Sequence, residues 1–175
     1  MGNEEHSIKP QRITAELFRP FGNLLGLKES PDKVINQGMC DRHHDLADIE
    51  VEAGGKSGIS LFNAKPRALP YRLEMMERHP KGSQAFIPMY QQPFLVTVAI
   101  DKGGMPDVPI AFLTKPHMGI NFYKNIWHGV LTPLKDPGIF AVIDRIATDD
   151  NLEEYWFNSP YIIEWSDLSV LSYDG

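Results

Sequence analysis

Glycine and proline punctuate this chain too often for it to be helical. Fourteen of each are spread along 175 residues, and an interior proline breaks a helix while an interior glycine weakens it. The breaks come in clusters: Gly54-Gly55-Lys56-Ser57-Gly58, then Asp101-Lys102-Gly103-Gly104 with Pro106 and Pro109, then Asp136-Pro137-Gly138. These are turn residues, tolerant of positive φ or fixed in φ. Between them lie short apolar runs of strand length, at 59–63, 69–76, 84–89, 94–100, 110–113, 119–122, 126–128 and 139–146. Thr14 before Ala15-Glu16-Leu17-Phe18 reads as the cap of a short N-terminal helix that stops ahead of Pro20 and Gly22. The expectation is an all-β dominated fold, an antiparallel β-barrel or two-sheet jelly roll that closes its strand edges.

One strand-like run ends in chemistry. Tyr71, Leu73, Met75, Glu77 and His79 share one parity, while Arg72, Glu74, Met76 and Arg78 take the other. If the run is one uninterrupted strand, its apolar face leads directly into Glu77 and His79. Gln84 follows shortly after, at the start of the next apolar run.

Composition excludes several function classes. A chain of 175 residues, 42% of them hydrophobic, fits a single domain over 1–175 with a substantial core. A net charge of -6, a pI near 5.5 and no long basic cluster argue against nucleic acid or an anionic membrane as partner. Cys40 is the only cysteine, so no intrachain disulfide forms and a reducing cytoplasm is the expected compartment. No run approaches the roughly 20 apolar residues of a membrane span, and the first residues have no signal-peptide core. His6 stands where a myristoylation pattern wants Ser or Thr. A small soluble molecule is the expected partner.

The chain resembles the ureidoglycolate lyase family, formerly called ureidoglycolate hydrolases. The resemblance starts at Ile8-Lys9-Pro10, Ala15-Glu16-Leu17-Phe18 and Phe21-Gly22, and continues through Ile35-Asn36-Gln37-Gly38 and Arg42-His43-His44-Asp45-Leu46-Ala47. It includes Ala64-Lys65-Pro66 and the stretch from Glu77 to Met89, then Gly119-Ile120-Asn121-Phe122, Trp127-His128 and Ile143-Asp144-Arg145. It covers the chain to about residue 146. Many members continue with histidines at two places where this chain has Tyr123 and Gly129.

The resemblance implies a cupin-like barrel, a homodimer, and the splitting of ureidoglycolate into glyoxylate and urea in allantoin breakdown. Cupins carry an H-x-H motif, three or four residues and then Glu, plus one His from a later strand. Here Glu77-x-His79 occupies the H-x-H positions, Gln84 stands where the Glu is expected, and His128 suits the later motif. Glu77, His79, Gln84 and His128 are thus candidate ligands of nickel, manganese or zinc. The competing reading is that they only hydrogen-bond one another at the barrel mouth. Collapse of a carbinolamine needs a base, an acid and a cation for the carboxylate. His79, His128 and Glu77 are candidates for the first two roles, and a metal, Arg42 or Lys124 for the third, with Gln84 and Asn121 as further substrate contacts.

Bland readings accompany several of these residues. Arg42 fits a surface ion pair and Lys124 a solvated loop; Asp144 and Arg145 fit a structural pair at the barrel rim, and Trp127 fits packing. The apolar stretch from Tyr155 to Trp165 is expected to dock on the barrel or on a second subunit. Two alternatives to the lyase remain: another cupin enzyme on a small hydroxy or ureido acid, and a non-catalytic cupin that binds a small carboxylate.

Overall fold

Over residues 6–165, which the computed structural model describes, the apolar runs become strands linked by the expected turns. In chain order they are β1 (His6–Ile8), β2 (Gln11–Arg12), β3 (Gly22–Leu25), β4 (Lys33–Ile35) and β5 (Cys40–Arg42). There follow β6 (Lys56–Asn63), β7 (Tyr71–Arg78), β8 (Gln84–Pro88), β9 (Phe94–Ala99) and β10 (Ile110–Leu113). The last five are β11 (Gly119–Phe122), β12 (Trp127–His128), β13 (Thr132–Pro133), β14 (Ile139–Ile146) and β15 (Glu153–Ile163). The helix α1 spans Ala15–Phe18, and the Thr14 hydroxyl accepts from the Leu17 N–H at 3.2 Å, the capping bond its sequence predicts.

Two sheets face one another. The larger runs β1-β15-β7-β12-β9-β10-β2, with β13 also on β9; the smaller runs β3-β11-β8-β14-β6. β4 and β5 form a separate hairpin. The all-β, cupin-like expectation holds, as a curled pair of sheets. Between them lies an aromatic core in which Phe94, Val96 and Val98 of β9 meet Phe86, Ile120, Phe122 and Phe140 of the smaller sheet, with Phe18 and Phe21 closing one end. Successive residues of a strand point to opposite faces, so Leu95 and Ala99 of β9 pack in a second cluster, with Trp127, Met76, Leu73 and Tyr71.

The parity expected of β7 fails midway. Tyr71 and Leu73 join Met76, not Met75, in the second cluster, so the alternation slips between Leu73 and Met76. β15 slips alongside it: Trp156 pairs with Met75 and Tyr161 with Leu73, leaving four residues of β15 against one of β7. A bulge of this kind re-aims every side chain beyond it. Glu77 consequently shares no face with Tyr71 and Leu73, and it reaches the inter-sheet side because of the slip. β15 itself was expected only as an apolar docking tail; it is the longest strand of the described residues and seats on its own barrel against β7 and β1.

Candidate active site

Glu77 and His128 arrive side by side because antiparallel β7 and β12 pair at that position, and directly opposed residues point to the same face. On its other side His128 pairs with Val98 of the inter-sheet core. His79 lies just past the end of β7, its ring centroid 5.4 Å from that of His128 and tilted by 39°. Glu77, His79 and His128 each offer a ligand atom, all within 4.8 Å of one another. Phe122 stacks flat on His128 at 4.3 Å and fixes the plane of that ring.

Both imidazoles are held from behind. Nδ1 of His79 lies 2.8 Å from the backbone oxygen of Asn151, and Nδ1 of His128 lies 3.0 Å from that of Gly129. A carbonyl only accepts, so each Nδ1 carries a proton and donates it, leaving the lone pair of the neutral ring on Nε2. Both Nε2 atoms are buried and without a partner among the described residues. Burial first, and the neighbouring His79 second, pull the pKa of His128 down to about 3. Burial raises the pKa of Glu77; His79 opposes that rise and Glu154 adds to it.

Gln84 extends the group. It pairs with Phe122 and so shares the inward face of the smaller sheet. Its Nε2 donates to Asp144 Oδ2 at 3.2 Å, while Gln84 Oε1 and Asp144 Oδ1 are buried and unpartnered. Buried polar atoms are nearly always bonded. Four orphaned lone-pair atoms on one inward set mark a place built for a ligand, and two imidazoles, a carboxylate and an amide oxygen fit a divalent cation. Asp144 thus hydrogen-bonds to Gln84, and the structural pair expected with Arg145 does not form: Arg145 turns to Asp149 instead, at 2.9 Å.

That second pair anchors the loop behind His79. The buried Arg145 guanidinium also donates to the Glu52 and Ala53 carbonyls, and Asp149 accepts from Lys81 Nζ at 2.6 Å. The Asn151 side chain accepts from the Lys81 backbone N–H at 2.7 Å. These bonds pin the carbonyl of Asn151 where it meets His79. Asn151 has no sequence signal of its own, because its contribution is a backbone oxygen.

Three expected substrate contacts lie away from the cluster. Asn121 pairs with Ala85 and Asn23, so it points to the opposite face from Gln84, where its Nδ2 donates to Asn23 Oδ1 at 3.2 Å. Lys124 Nζ meets Glu52 at 2.9 Å, and Arg42 is exposed on the β4–β5 hairpin. Other cations share a cavity with Glu77: Arg67 and Arg72 line an open space of about 290 Å³ together with Glu77, Glu154 and Trp156. The larger cavity, about 480 Å³ beside Arg19, Asn23 and Lys28, contains none of the clustered residues. Trp127 packs as expected, under the Arg78 guanidinium at 4.4 Å. At Gly129 a Cβ would stand 2.0 Å from Thr97 Oγ1.

Curled sheets with two imidazoles and two carboxylates on their facing sides define a cupin-like enzyme of small polar substrates. The chain belongs to the ureidoglycolate lyase family, whose sequence model matches residues 5–164. It is 51% identical over 161 residues to the ureidoglycolate lyase of Rhodobacter capsulatus, a match spanning 92% of this chain and 99% of that one. Ureidoglycolate lyase 2 of Rhizobium meliloti is 47% identical, over 85% of this chain and 92% of its own. The ureidoglycolate lyase of Chelativorans is 46% identical, over 89% and 95%.

Proposed function

We propose that this protein splits ureidoglycolate into glyoxylate and urea, as a cytoplasmic homodimer serving nitrogen recovery from allantoin. The names of relatives matched over nearly their full length support the activity. The observation that carries the site is the set of buried, unpartnered atoms on His79, His128, Gln84 and Asp144 beside Glu77. Of the described residues, no helix is long and apolar enough to cross a membrane.

The reaction moves one proton. The hydroxyl of the carbinolamine carbon loses its proton, its oxygen electrons form the aldehyde C=O, the C–N bond breaks, and the departing nitrogen takes a proton to become urea. One basic group that accepts and then returns the proton balances the step. His128, neutral at pH 7, serves as a lone-pair donor. Without a cation, Nε2 of His79 is the base. A divalent cation (nickel, manganese or zinc) held by Glu77, His79 and His128, with Gln84 Oε1 as a neutral donor, would supply Lewis-acid polarisation of the substrate oxygens. The Asp144 carboxylate is then the base still free in the site. Arg67 meets the substrate carboxylate from the cavity it shares with Glu77.

Product analysis tests this reading. The purified protein is expected to release urea and glyoxylate in equal amounts from ureidoglycolate; saturable binding without product would establish the non-catalytic alternative. Elemental analysis of protein purified without chelator or nickel resin decides the cation. About one ion per chain, lost together with activity in the Glu77→Ala variant, is expected. Full activity in metal-free protein would assign the chemistry to His79 alone.

A further inference from the structure

The outer face of the smaller sheet is apolar where a solvated sheet face is ordinarily polar. Phe86, Phe140 and Val142 use one parity of β8 and β14 to fill the space between the sheets, and Phe62 of β6, 37% exposed, packs its ring against Phe86 from the edge. The opposite parity carries Ile59 and Leu61 on β6, which face Ile143 and Ala141 on β14, and Ala141 in turn faces Ile87 on β8. Met89 continues the row. Ile59 is 76% exposed, Leu61 69%, Met89 59% and Ile87 39%. No exposed charge interrupts this face: the one ionic residue of that parity on β14, Arg145, is buried. β6 also ends its sheet, with β14 as its only partner among the described strands, and a long apolar edge strand left in water invites pairing.

We propose that this face of β6, β14 and β8 is where two copies of the chain meet about a two-fold axis. The proposal rests on the homodimer put forward above and says where its interface lies. A two-fold interface sets a patch against itself, so it must be self-complementary. An uncharged apolar patch meets that requirement, whereas two chains of net charge -6 repel through any acidic face. The exposed side chains offer on the order of 500 Å² per chain, within the roughly 300–600 Å² of the largest and often functional apolar patch on a monomer, and the surrounding uncharged strand surface extends it toward the roughly 800 Å² each partner contributes to a standard interface.

The test is mass in solution, by light scattering on the intact protein at micromolar concentration, with near-ultraviolet circular dichroism to verify the fold. The wild type is expected at twice the 19.8 kDa chain mass. Leu61→Glu is expected to be a folded monomer, with dimer affinity weakened by roughly 100-fold or more, the scale of losing a buried interface anchor. Should Leu61→Glu fail to fold, the milder Ile59→Ser decides, with a measurable rise in the dimer dissociation constant expected. The control Met39→Glu, at an 85% exposed position beside β5, is expected to stay dimeric. A wild-type dimer whose affinity neither substitution changes would overturn the interface while leaving the homodimer standing. A monomeric wild type would overturn both.

Discussion

His128 is a fully buried titratable group, and its proton accounts for a pH dependence. An unfolded histidine titrates near 6.5, but in the folded chain burial and His79 hold His128 down at about 3. The unfolded state therefore binds more protons below pH 6.5, so this contribution to stability is complete above 6.5 and is lost as pH falls toward 3. Glu77, raised by burial, works in the opposite sense above its own unfolded value. In metal-free protein the urea midpoint is expected to fall between pH 7 and pH 5, and His128→Phe is expected to flatten that fall. An unchanged slope in the variant would place the titration elsewhere. The sequence exposed Glu77, His79, Gln84 and His128 because their spacing matches a motif. It did not expose Asp144 as their companion, since a carboxylate beside an arginine reads as an ion pair until the strand parity aims the two apart. Asn121 points to the face opposite Gln84, Lys124 pairs with Glu52 and Arg42 lies exposed on its hairpin, placements that sequence could not supply because charge and proximity in sequence carry no information about which face a side chain occupies.

At the level of elements, strand positions were legible and strand phase was not. The runs at 110–113, 119–122 and 139–146 form strands with the bounds their apolar residues mark, because period-two patterning and turn residues are local signals. The slip inside β7 depends on extra residues in β15, about eighty positions away, and no local pattern encodes it. The loop between β14 and β15 belongs to the same scale. Arg145, Asp149, Lys81 and Asn151 hold it against His79, and partners of this kind typically change activity 10–100-fold when removed. Asp149→Asn is expected to lower kcat on the order of 10-fold with KM little changed, and to alter the ¹⁵N shifts of His79. Asp149→Glu should recover most of the loss. A variant with reduced stability but native kcat and native His79 shifts would reduce this loop to a structural brace.

For the whole molecule, the facing sides of the two sheets carry the imidazole and carboxylate cluster, and the outer face of the smaller sheet is apolar. The same strands serve both: β8 and β14 send Gln84 and Asp144 inward and Ile87, Ala141 and Ile143 outward. That division follows from period-two alternation alone. The account's central claim is that the imidazole and carboxylate cluster between the sheets performs the splitting of ureidoglycolate. The most direct test is the rate of urea release by wild type and His79→Ala, compared at matched fold content. The account predicts a loss of roughly 100-fold or more in the variant, the scale of removing a positioned base or ligand. Near-normal release by folded His79→Ala would contradict it.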